Sequence, residues 1–216
     1  MTDAAPDAVR RGRGRPRGVG GSRRDDIVAA ATADFAEHGY RGATVRGIAA
    51  RAGVDPALVH HYFGTKADLF ASVLRAPVRP DRDAHEILDG PVDSIGWRLV
   101  RHVLTVWDDG ETRSDGVQLL RAALSDGATS SMVASFLHAE LLEPVAATLE
   151  AGDAELRVSL VSSQVLGLLL GRYVLALPAL RDATVDDLVA RVGPTIQRHL
   201  TGDPVEQPLP STPADR

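Results

Sequence analysis

The chain has 216 residues, which is enough for one domain or two small ones and for a substantial buried core. It contains no cysteine, which excludes disulfides, thiolate nucleophiles and cysteine-bound metal, and we expect neither a metal site nor a cofactor. The net charge of -5 is unevenly distributed, with +4 on residues 1–66 and -9 on residues 67–216, which predicts different partners for the two parts.

Residues 1–21 form a predicted basic arm. Seven arginines and no acidic residue fall within residues 10–24, together with five glycines and one proline, so the segment cannot bury apolar surface and is expected to be disordered when free. Arg13, Arg15 and Arg17 lie in a segment similar to the core of an AT-hook, which occupies the narrow minor groove of A·T-rich DNA. We expect the arm to bind DNA. The alternative is a solvated tail or a translation start placed too early.

Four short helices are predicted between residues 22 and 76, each with its own start and stop signals. The N-terminal caps are Ser22 with Asp25, Thr44, Asp55 followed by Pro56, and Thr65 with Asp68. The glycines that end the first three helices are Gly39, Gly53 and Gly64. In the third helix, Val59, Tyr62 and Phe63 are expected to face the core. The second and third helices, joined by a turn that contains glycine, have the spacing of a helix-turn-helix.

The segment at residues 44–69 resembles the DNA-binding domain of the TetR family of transcriptional regulators. It reads TVRGIAARAGV over residues 44–54 and DPALVHHYFGTKADL over residues 55–69, without a gap against the family pattern. The resemblance implies an all-α fold: an N-terminal three-helix helix-turn-helix DNA-binding domain at residues 22–76 and a C-terminal helical ligand-binding and dimerisation domain at residues 77–201. It further implies a homodimeric, Ω-shaped repressor that binds a palindromic double-stranded DNA operator and responds to a small-molecule effector.

The residues predicted to contact DNA are Arg13, Arg15, Arg17, Thr44, Arg46, Pro56, Ala57, Leu58, His60, His61, Tyr62 and Lys66. At two positions the chain departs from the family, with Asp55 where Ser is usual and His60 where Tyr is usual. Phosphate repels the Asp55 carboxylate. His60 donates to phosphate more strongly when protonated, so we expect operator affinity to rise as the pH falls through about 6.5. The alternative for His60 and His61 is a pair of solvent-facing histidines.

The predicted recognition helix lacks the side chains that most often recognise bases. Residues 55–62 contain no Arg, Lys, Asn or Gln, so bidentate recognition of guanine or adenine is not available there. Ala57 and Leu58 can contact thymine methyl groups, and His61 can hydrogen-bond a base edge. Specificity is therefore expected to rely on Arg46 and on the arm. Lys66, the only lysine, matches a backbone-anchoring position of the family, and an ordinary surface charge is its alternative.

Beyond residue 74, prolines and residues 89–91 predict a connector that leads into further helices. The apolar stripes of these helices are Trp97, Val100, Leu104 and Trp107; Val117, Leu120 and Leu124; and Met132, Phe136, Leu137, Leu141 and Val145, with a kink at Pro144. They form either a plain core or a ligand cavity that includes polar groups such as His102 and His138. The residues predicted to bind the ligand are Trp97, Arg101, Leu104, Leu120, Arg121, Phe136 and Gln164.

The last two helices are predicted to form the dimer interface. Residues 153–176 carry small residues that allow close helix approach: Ser159, Ser162, Ser163, Gly167 and Gly171. The final helix has an apolar seam of Leu188, Val192, Ile196 and Leu200. Members of the family use two such helices per subunit as a four-helix interface, and the alternative is that both serve the core of one subunit. Residues 202–216 are a predicted disordered tail.

The chain is expected to be a soluble cytoplasmic protein with no membrane partner and no enzymatic activity. The Arg-rich start lacks the apolar segment of a secretory signal, and residues 158–177, interrupted by Gln164 and Arg172, fall short of an uncharged membrane span. The sequence has no phosphate-binding glycine loop, Gly-x-Ser-x-Gly elbow or His-Glu-x-x-His motif. The predicted function is a DNA-binding transcriptional repressor, and a nonspecific nucleoid-type DNA-binding protein is the alternative.

Overall fold

Helices make up the regular structure of the residues that the computed structural model describes, which are 22–149 and 152–202. They are α1 (Arg23–Gly42), α2 (Val45–Ala52), α3 (Pro56–Phe63), α4 (Lys66–Leu74), α5 (Pro80–Leu88), α6 (Ile95–Asp108), α7 (Gly110–Ser125), α8 (Gly127–Leu137), α9 (Glu143–Ala147), α10 (Ala154–Leu169), α11 (Pro178–Asp182) and α12 (Val185–Thr201). π-Helical segments follow α8 (His138–Leu142) and α10 (Leu170–Val174). No strand occurs within these ranges, so the all-α prediction is confirmed. The predicted arm at residues 1–21 and all but the first residue of the predicted tail at residues 202–216 lie outside the described residues.

The predicted caps of the first four helices are all present. Ser22 and Thr65 each accept a hydrogen bond from the N–H of the aspartate three residues later, and that carboxylate accepts one in return. Thr44 and Asp55 cap α2 and α3 through their side-chain oxygens. Gly53 ends α2 with a φ of 66°, a left-handed conformation that glycine adopts without strain. Local interactions therefore define the helix-turn-helix.

Helices α1–α4 enclose a small aromatic core. The ring of Phe70 lies 4.7 Å from those of both Phe35 and Tyr40, centroid to centroid. Helical geometry is interrupted at Gly39, where φ is 69°, and the next residue, Tyr40, is buried. Phe136 of α8 enters the same cluster, 4.9 Å from Phe70. The core of this unit is thus completed by a side chain from the C-terminal part of the chain.

The prediction that Tyr62 faces the core is wrong. Val59 and Phe63 are buried as expected, but Tyr62 is 41% exposed. Residues four apart on a helix lie almost on one line, whereas Tyr62 falls to the side of the line through Val59 and Phe63. Because α3 has only eight residues and a narrow buried face, a residue at the edge of that face remains at the surface.

The predicted connector between the two units contains a helix, α5, which was not predicted from the sequence. Pro80 occupies its first turn, where a missing N–H breaks no helical hydrogen bond. Asp83 and Ile87, one turn apart, are both buried. The proline predicted to punctuate a connector therefore marks a helix start, and α5 contributes side chains to the interior of the C-terminal unit.

Helices α6 and α12 pack with their backbones unusually close. A Cβ added at Gly96 would lie 2.6 Å from the backbone of both Gly193 and Gln197, and the Gly96 N–H donates to Gln197 Oε1 over 2.8 Å. The predicted seam of α12 faces this contact, with Leu188, Ile196 and Leu200 buried. The seam therefore serves the core of one protomer.

The stripes of the middle helices are partly as predicted. In α6, Val100, Leu104 and Trp107 are buried, and Trp97 is partly buried. In α7 the prediction for Leu124 is wrong, because this residue is 66% exposed. The expected distortion near Pro144 takes the form of the π-helical segment His138–Leu142, which widens the helix just before the proline.

Helix α10 and its π-helical extension, Ala154–Val174, are together long and apolar enough to cross a membrane by length and composition. A single helix of this kind is weak evidence for a membrane span, since core helices of soluble proteins have the same character. Only 28% of its most apolar stretch is buried within the described structure. The helix therefore presents an apolar face that no other described residue covers.

Candidate DNA-binding surface and effector cavity

The predicted DNA contacts at residues 44–66 lie at the start of α2, along α3 and at the first residue of α4. The members that are exposed are Thr44, Arg46, Ala57, His60, His61 and Tyr62, and those that are partly buried are Pro56, Leu58 and Lys66. Arg13, Arg15 and Arg17 lie outside the described residues. Few of these residues carry a charge, as expected from the composition of α3.

Arg46 is the best placed of these side chains for recognition of DNA. Its exposed guanidinium has neither a hydrogen bond nor an ion pair with any described residue. Nearby arginines are already engaged: Arg51 pairs with Glu37 and lies 3.5 Å from Asp34, and Arg41 pairs with Glu143 over 2.6 Å. Arg46 therefore has its full hydrogen-bonding capacity available for a phosphate or a base edge.

The orientation of His60 decides which proton it can offer. Its Nδ1 lies 2.8 Å from the carbonyl oxygen of Gly64, which can only accept, so Nδ1 carries a hydrogen. In the neutral ring Nε2 is then an unprotonated acceptor and cannot donate to phosphate. Only the imidazolium form offers an N–H from Nε2, so the expected pH dependence gains a structural cause.

Lys66 has a structural role that was not predicted from the sequence. Its Nζ donates to the carbonyl oxygens of Tyr40 and Ala43, over 3.0 and 3.4 Å, and lies 4.5 Å from the centre of the Tyr40 ring. The ammonium thus holds the loop between α1 and α2 against α4. This occupies two of its three hydrogens and leaves at most one for a phosphate.

The C-terminal unit encloses a cavity of about 230 Å³ between α5, α6, α7, α8 and α10. Its lining is almost entirely hydrocarbon, from leucine, valine, isoleucine and alanine side chains. Two of the predicted ligand residues, Leu120 and Phe136, line it, as does His102. The predicted ligand residues that do not line it are Trp97, Arg101, Leu104, Arg121 and Gln164.

Each of these five side chains is occupied elsewhere or turned outward. Trp97 packs on Gly193 of α12, and Arg101 pairs at the surface with Asp186 over 2.8 Å. Leu104 is fully buried in the core. The other two, Arg121 and Gln164, are exposed. Side-chain direction around each helix, which spacing alone left open, separates them from the cavity.

His102 lies at one corner of the cavity between two carboxylates of α5, neither of which was predicted to be near it. Its Nε2 is 3.1 Å from Asp83 Oδ1 and its Nδ1 is 3.0 Å from Glu86 Oε2. The Asp83 carboxylate raises the pKa of His102 above its ordinary value, with a further contribution from Glu86, although burial of the ring opposes both. The three-residue spacing of Asp83 and Glu86 on one helix face was the signal available in the sequence.

The cavity and the helix-turn-helix unit share a wall. Phe136 lines the cavity and also packs edge-to-face on Tyr40, with ring centroids 5.2 Å apart. The Tyr40 hydroxyl donates to Glu140 Oε1 over 2.5 Å, and Glu140 belongs to the π-helical segment after α8. Phe136 thus connects the cavity directly to the core beneath the DNA-binding surface.

Leucines project from the uncovered face of α10 and from the segment that follows it. The exposed members are Leu156, Leu160, Leu166, Leu175 and Leu177, of which Leu166 also lines the cavity. Small residues lie between them on α10, and a Cβ added at Gly167 would meet nothing within 4 Å. Exposed apolar surface of this kind is typical of a protein interface.

Comparison with known proteins gives a consistent result. Residues 27–73 match the family described as "Bacterial regulatory proteins, tetR family", and residues 93–200 match the "Tetracyclin repressor-like, C-terminal domain". The HTH-type transcriptional repressor Rv3405c of Mycobacterium tuberculosis is 34% identical over 165 residues, which cover 75% of this chain and 78% of that protein. The HTH-type transcriptional repressor SCO4008 of Streptomyces coelicolor is 44% identical over 64 residues, which cover 26% of this chain and only 33% of that protein. The crystal structure of a TetR-family regulator, SCO0857 of Streptomyces coelicolor, is 34% identical, covers 86% of this chain and 98% of its own, and superimposes with a TM-score of 0.45.

Proposed function

Because the chain belongs to the TetR family of transcriptional regulators, we propose that it is a ligand-responsive repressor that binds a palindromic operator as a homodimer. The observation that carries the proposal is the position of Phe136, which is part of both the cavity wall and the aromatic core of the helix-turn-helix unit. A molecule that binds in the cavity acts on this side chain. Under this proposal the protein acts in the cytoplasm, has no catalytic role and has no membrane partner.

The proposed mechanism is a change in the distance between two DNA-binding surfaces. The recognition helices of a dimer must lie about 34 Å apart to enter successive major grooves on one face of the duplex. A ligand that binds better to a dimer with another separation releases the operator, by an amount set by its difference in affinity for the two states. Each protomer transmits the change through Phe136 and the π-helical segment that follows α8.

The exposed leucines of α10 support the proposed homodimer. In a dimer they cover each other, whereas the seam of α12 is already buried against α6. Leu156→Asp is expected to convert the dimer to monomers and to abolish operator binding, because a charge in an apolar interface is left without a partner. Leu124→Asp is the matched control, since Leu124 is similarly exposed but belongs to α7. Sedimentation velocity measures both variants, and an unchanged dimer in Leu156→Asp would contradict this assignment.

Selection of duplexes from a random pool tests the proposed DNA specificity. The selection is run at about 150 mM salt, where nonspecific phosphate binding is suppressed. A palindrome with half-sites about one helical turn apart is expected. Recovery of unselected or merely A·T-rich sequences would favour the nonspecific nucleoid-type protein instead.

The basic arm is tested separately by deletion of residues 1–21. The deletion should weaken DNA binding and flatten the dependence of affinity on salt, because each phosphate that the arm neutralises contributes about -0.9 to the log–log slope. Titrations of full-length and shortened protein at several salt concentrations give the two slopes. An unchanged slope would mean that the arm does not touch the duplex.

A further inference from the structure

The chemistry of the effector can be inferred from the cavity. We propose that the cavity binds an uncharged, almost purely hydrocarbon molecule of on the order of nine non-hydrogen atoms, comparable to a short alkylbenzene. The role of this molecule as an effector rests on the proposed function, whereas its binding is independent of DNA and can be measured without it.

The size follows from the volume. An apolar protein cavity of about 150 Å³ stays dry and binds benzene. The cavity here, at about 230 Å³, is half as large again. A guest that fills it to the density of a protein interior is therefore larger than benzene by a few carbon atoms.

The absence of charge follows from how the polar groups at the cavity wall are engaged. Asp83 faces His102 with one carboxylate oxygen and accepts from the Arg79 backbone N–H with the other, over 2.7 Å. Glu86 pairs with Arg82 over 2.9 Å as well as with His102. The charges at this corner balance one another, so an ionic guest would be desolvated without gaining a partner.

Hydrogen-bonding groups are similarly unavailable to a guest. The Ser162 hydroxyl donates to the Val158 carbonyl oxygen over 2.8 Å. The His102 Nε2 atom is fully buried and forms an ion pair with Asp83 Oδ1 over 3.1 Å, so a guest would have to compete with this carboxylate for it. Burial of a polar group without a hydrogen bond is unfavourable. The lining thus favours guests in which polar atoms are few or absent.

Four probes of matched size separate the possible ligand chemistries: cumene, acetophenone, benzoate and the phenethylammonium ion. Isothermal titration of the full-length protein, without DNA, is expected to give the tightest binding for cumene and weaker binding for acetophenone. Binding of each ion is expected to be at least about tenfold weaker than that of cumene, because a buried charge here has no partner. Tighter binding of benzoate or phenethylammonium than of cumene would overturn the proposal, and so would the failure of all four probes to bind.

Variants at two adjacent residues locate the binding site. Ala123 lines the cavity, whereas its neighbour Ala122 is exposed and does not line it. Ala123→Phe fills the cavity and should lower the affinity for cumene by at least about tenfold, since the guest and the new ring compete for the same space. Ala122→Phe should leave the affinity unchanged. Equal effects of the two substitutions would show that cumene binds elsewhere.

A second variant keeps the test decisive if Ala123→Phe does not fold. Leu120→Ala enlarges the cavity, so the preference should shift from cumene towards hexylbenzene, and an unchanged preference would overturn the assignment of the site. Release of operator DNA by cumene is measured afterwards. If cumene binds in the cavity without releasing the operator, the ligand class stands and the proposed ligand response fails. If another compound releases the operator while no hydrocarbon binds, the proposed ligand response stands and the proposed ligand class fails.

Discussion

The helix-turn-helix unit at residues 22–74 and the C-terminal unit at residues 80–202 are both helical, but they are packed on different principles. In the first, four helices with complete N-terminal caps surround a filled aromatic core. In the second, the helices enclose a cavity of about 230 Å³, and one of them leaves leucines uncovered. A filled core has a single arrangement, whereas a core with a void can repack. The difference indicates a rigid DNA-binding part joined to a part that can change shape.

The π-helical segments strengthen this contrast. Both lie in the C-terminal unit, and Leu141 and Leu142 of the first line the cavity. In the second, Arg172 is buried, donates to backbone carbonyls near α11 and pairs with Asp108 over 3.2 Å. Such wide turns interrupt the regular hydrogen bonding of a helix and are frequent at functional sites. Within the described residues, the helix-turn-helix unit contains none.

The largest expected effect comes from the same substitution made in the two cores. Leu69→Ala should lower the free energy of unfolding by about 3 to 5 kcal/mol, because Leu69 is fully buried in a filled core. Leu120→Ala should lower it by only about 2 kcal/mol, the low end of the usual range, since Leu120 is partly buried and already faces a void. Urea denaturation measures both. Equal losses would mean that the two cores are equally well packed.

Close backbone packing between α6 and α12 limits how far the C-terminal unit can rearrange. Gly96→Ala is expected to destabilise the protein by about 1 to 3 kcal/mol, because its methyl group would collide with the backbone of Gly193 and Gln197. Gly127→Ala at the start of α8 is the control, since its methyl group would meet nothing within 4 Å. Thermal denaturation of both variants is the measurement. A Gly96→Ala protein as stable as the control would show that the two helices separate readily.

On the DNA-binding surface, the effect of Arg46→Ala should appear in binding and not in stability. If Arg46 contacts a base, the free energy of operator binding becomes less favourable by about 1 to 3 kcal/mol. The discrimination between bases also weakens at one operator position. Arg191→Ala, an exposed arginine of α12 remote from this surface, should leave both properties unchanged. Titrations of a panel of single-base operator variants give the answer. A loss that is uniform across all sequences would make Arg46 a phosphate contact.

The two histidines His60 and His102 should respond to pH in different experiments. For His60, operator affinity is expected to be higher at about pH 6 than at about pH 8, because only a ring protonated on both nitrogens donates to phosphate from Nε2. His60→Gln should remove this dependence. Fluorescence anisotropy with operator DNA between about pH 6 and 8 is suitable. A slope that survives in His60→Gln would assign the proton to another group.

The effect of His102 on the pH dependence of stability should be measurable without DNA. It is expected to be the smallest of these effects. Because Asp83 and Glu86 raise the pKa of His102 in the folded protein, its protonation stabilises the fold. This contribution is complete below the unfolded-state pKa of histidine, about 6.5, and is lost as the pH rises through the higher folded-state value. His102→Gln should therefore flatten the fall of stability with rising pH. Denaturation curves of wild type and variant across this interval provide the comparison, and parallel curves would exclude His102 as the titrating group.

Local signals explain why most of the helix-turn-helix unit could be predicted. A cap such as Ser22 with Asp25, or a left-handed glycine such as Gly53, involves residues within a few positions of each other. The exposure of Tyr62 was missed because the same spacing fits both the centre and the edge of a buried face. The role of Lys66 was missed because its partners, the carbonyls of Tyr40 and Ala43, are more than twenty positions away.

The C-terminal unit resisted prediction where its contacts are long-range. Helix α5 was not predicted because prolines start helices as well as interrupt them. With α5 missing, nothing in the sequence indicated that Asp83 and Glu86 would face His102. Of the seven predicted ligand residues, only Leu120 and Phe136 line the cavity, because an apolar stripe identifies a buried face without saying whether it meets another side chain or a void.

The helical class, the caps and turns of the DNA-binding unit and the membership of a family of regulators could be predicted, because they depend on short-range spacing and on a contiguous motif. The side chains that surround the cavity, the position of Phe136 between the cavity and the DNA-binding core, and the burial of the α12 seam but not of the α10 leucines became visible only in the folded protein. Those features depend on how helices distant in the chain are rotated and packed against one another, and helical periodicity leaves that free.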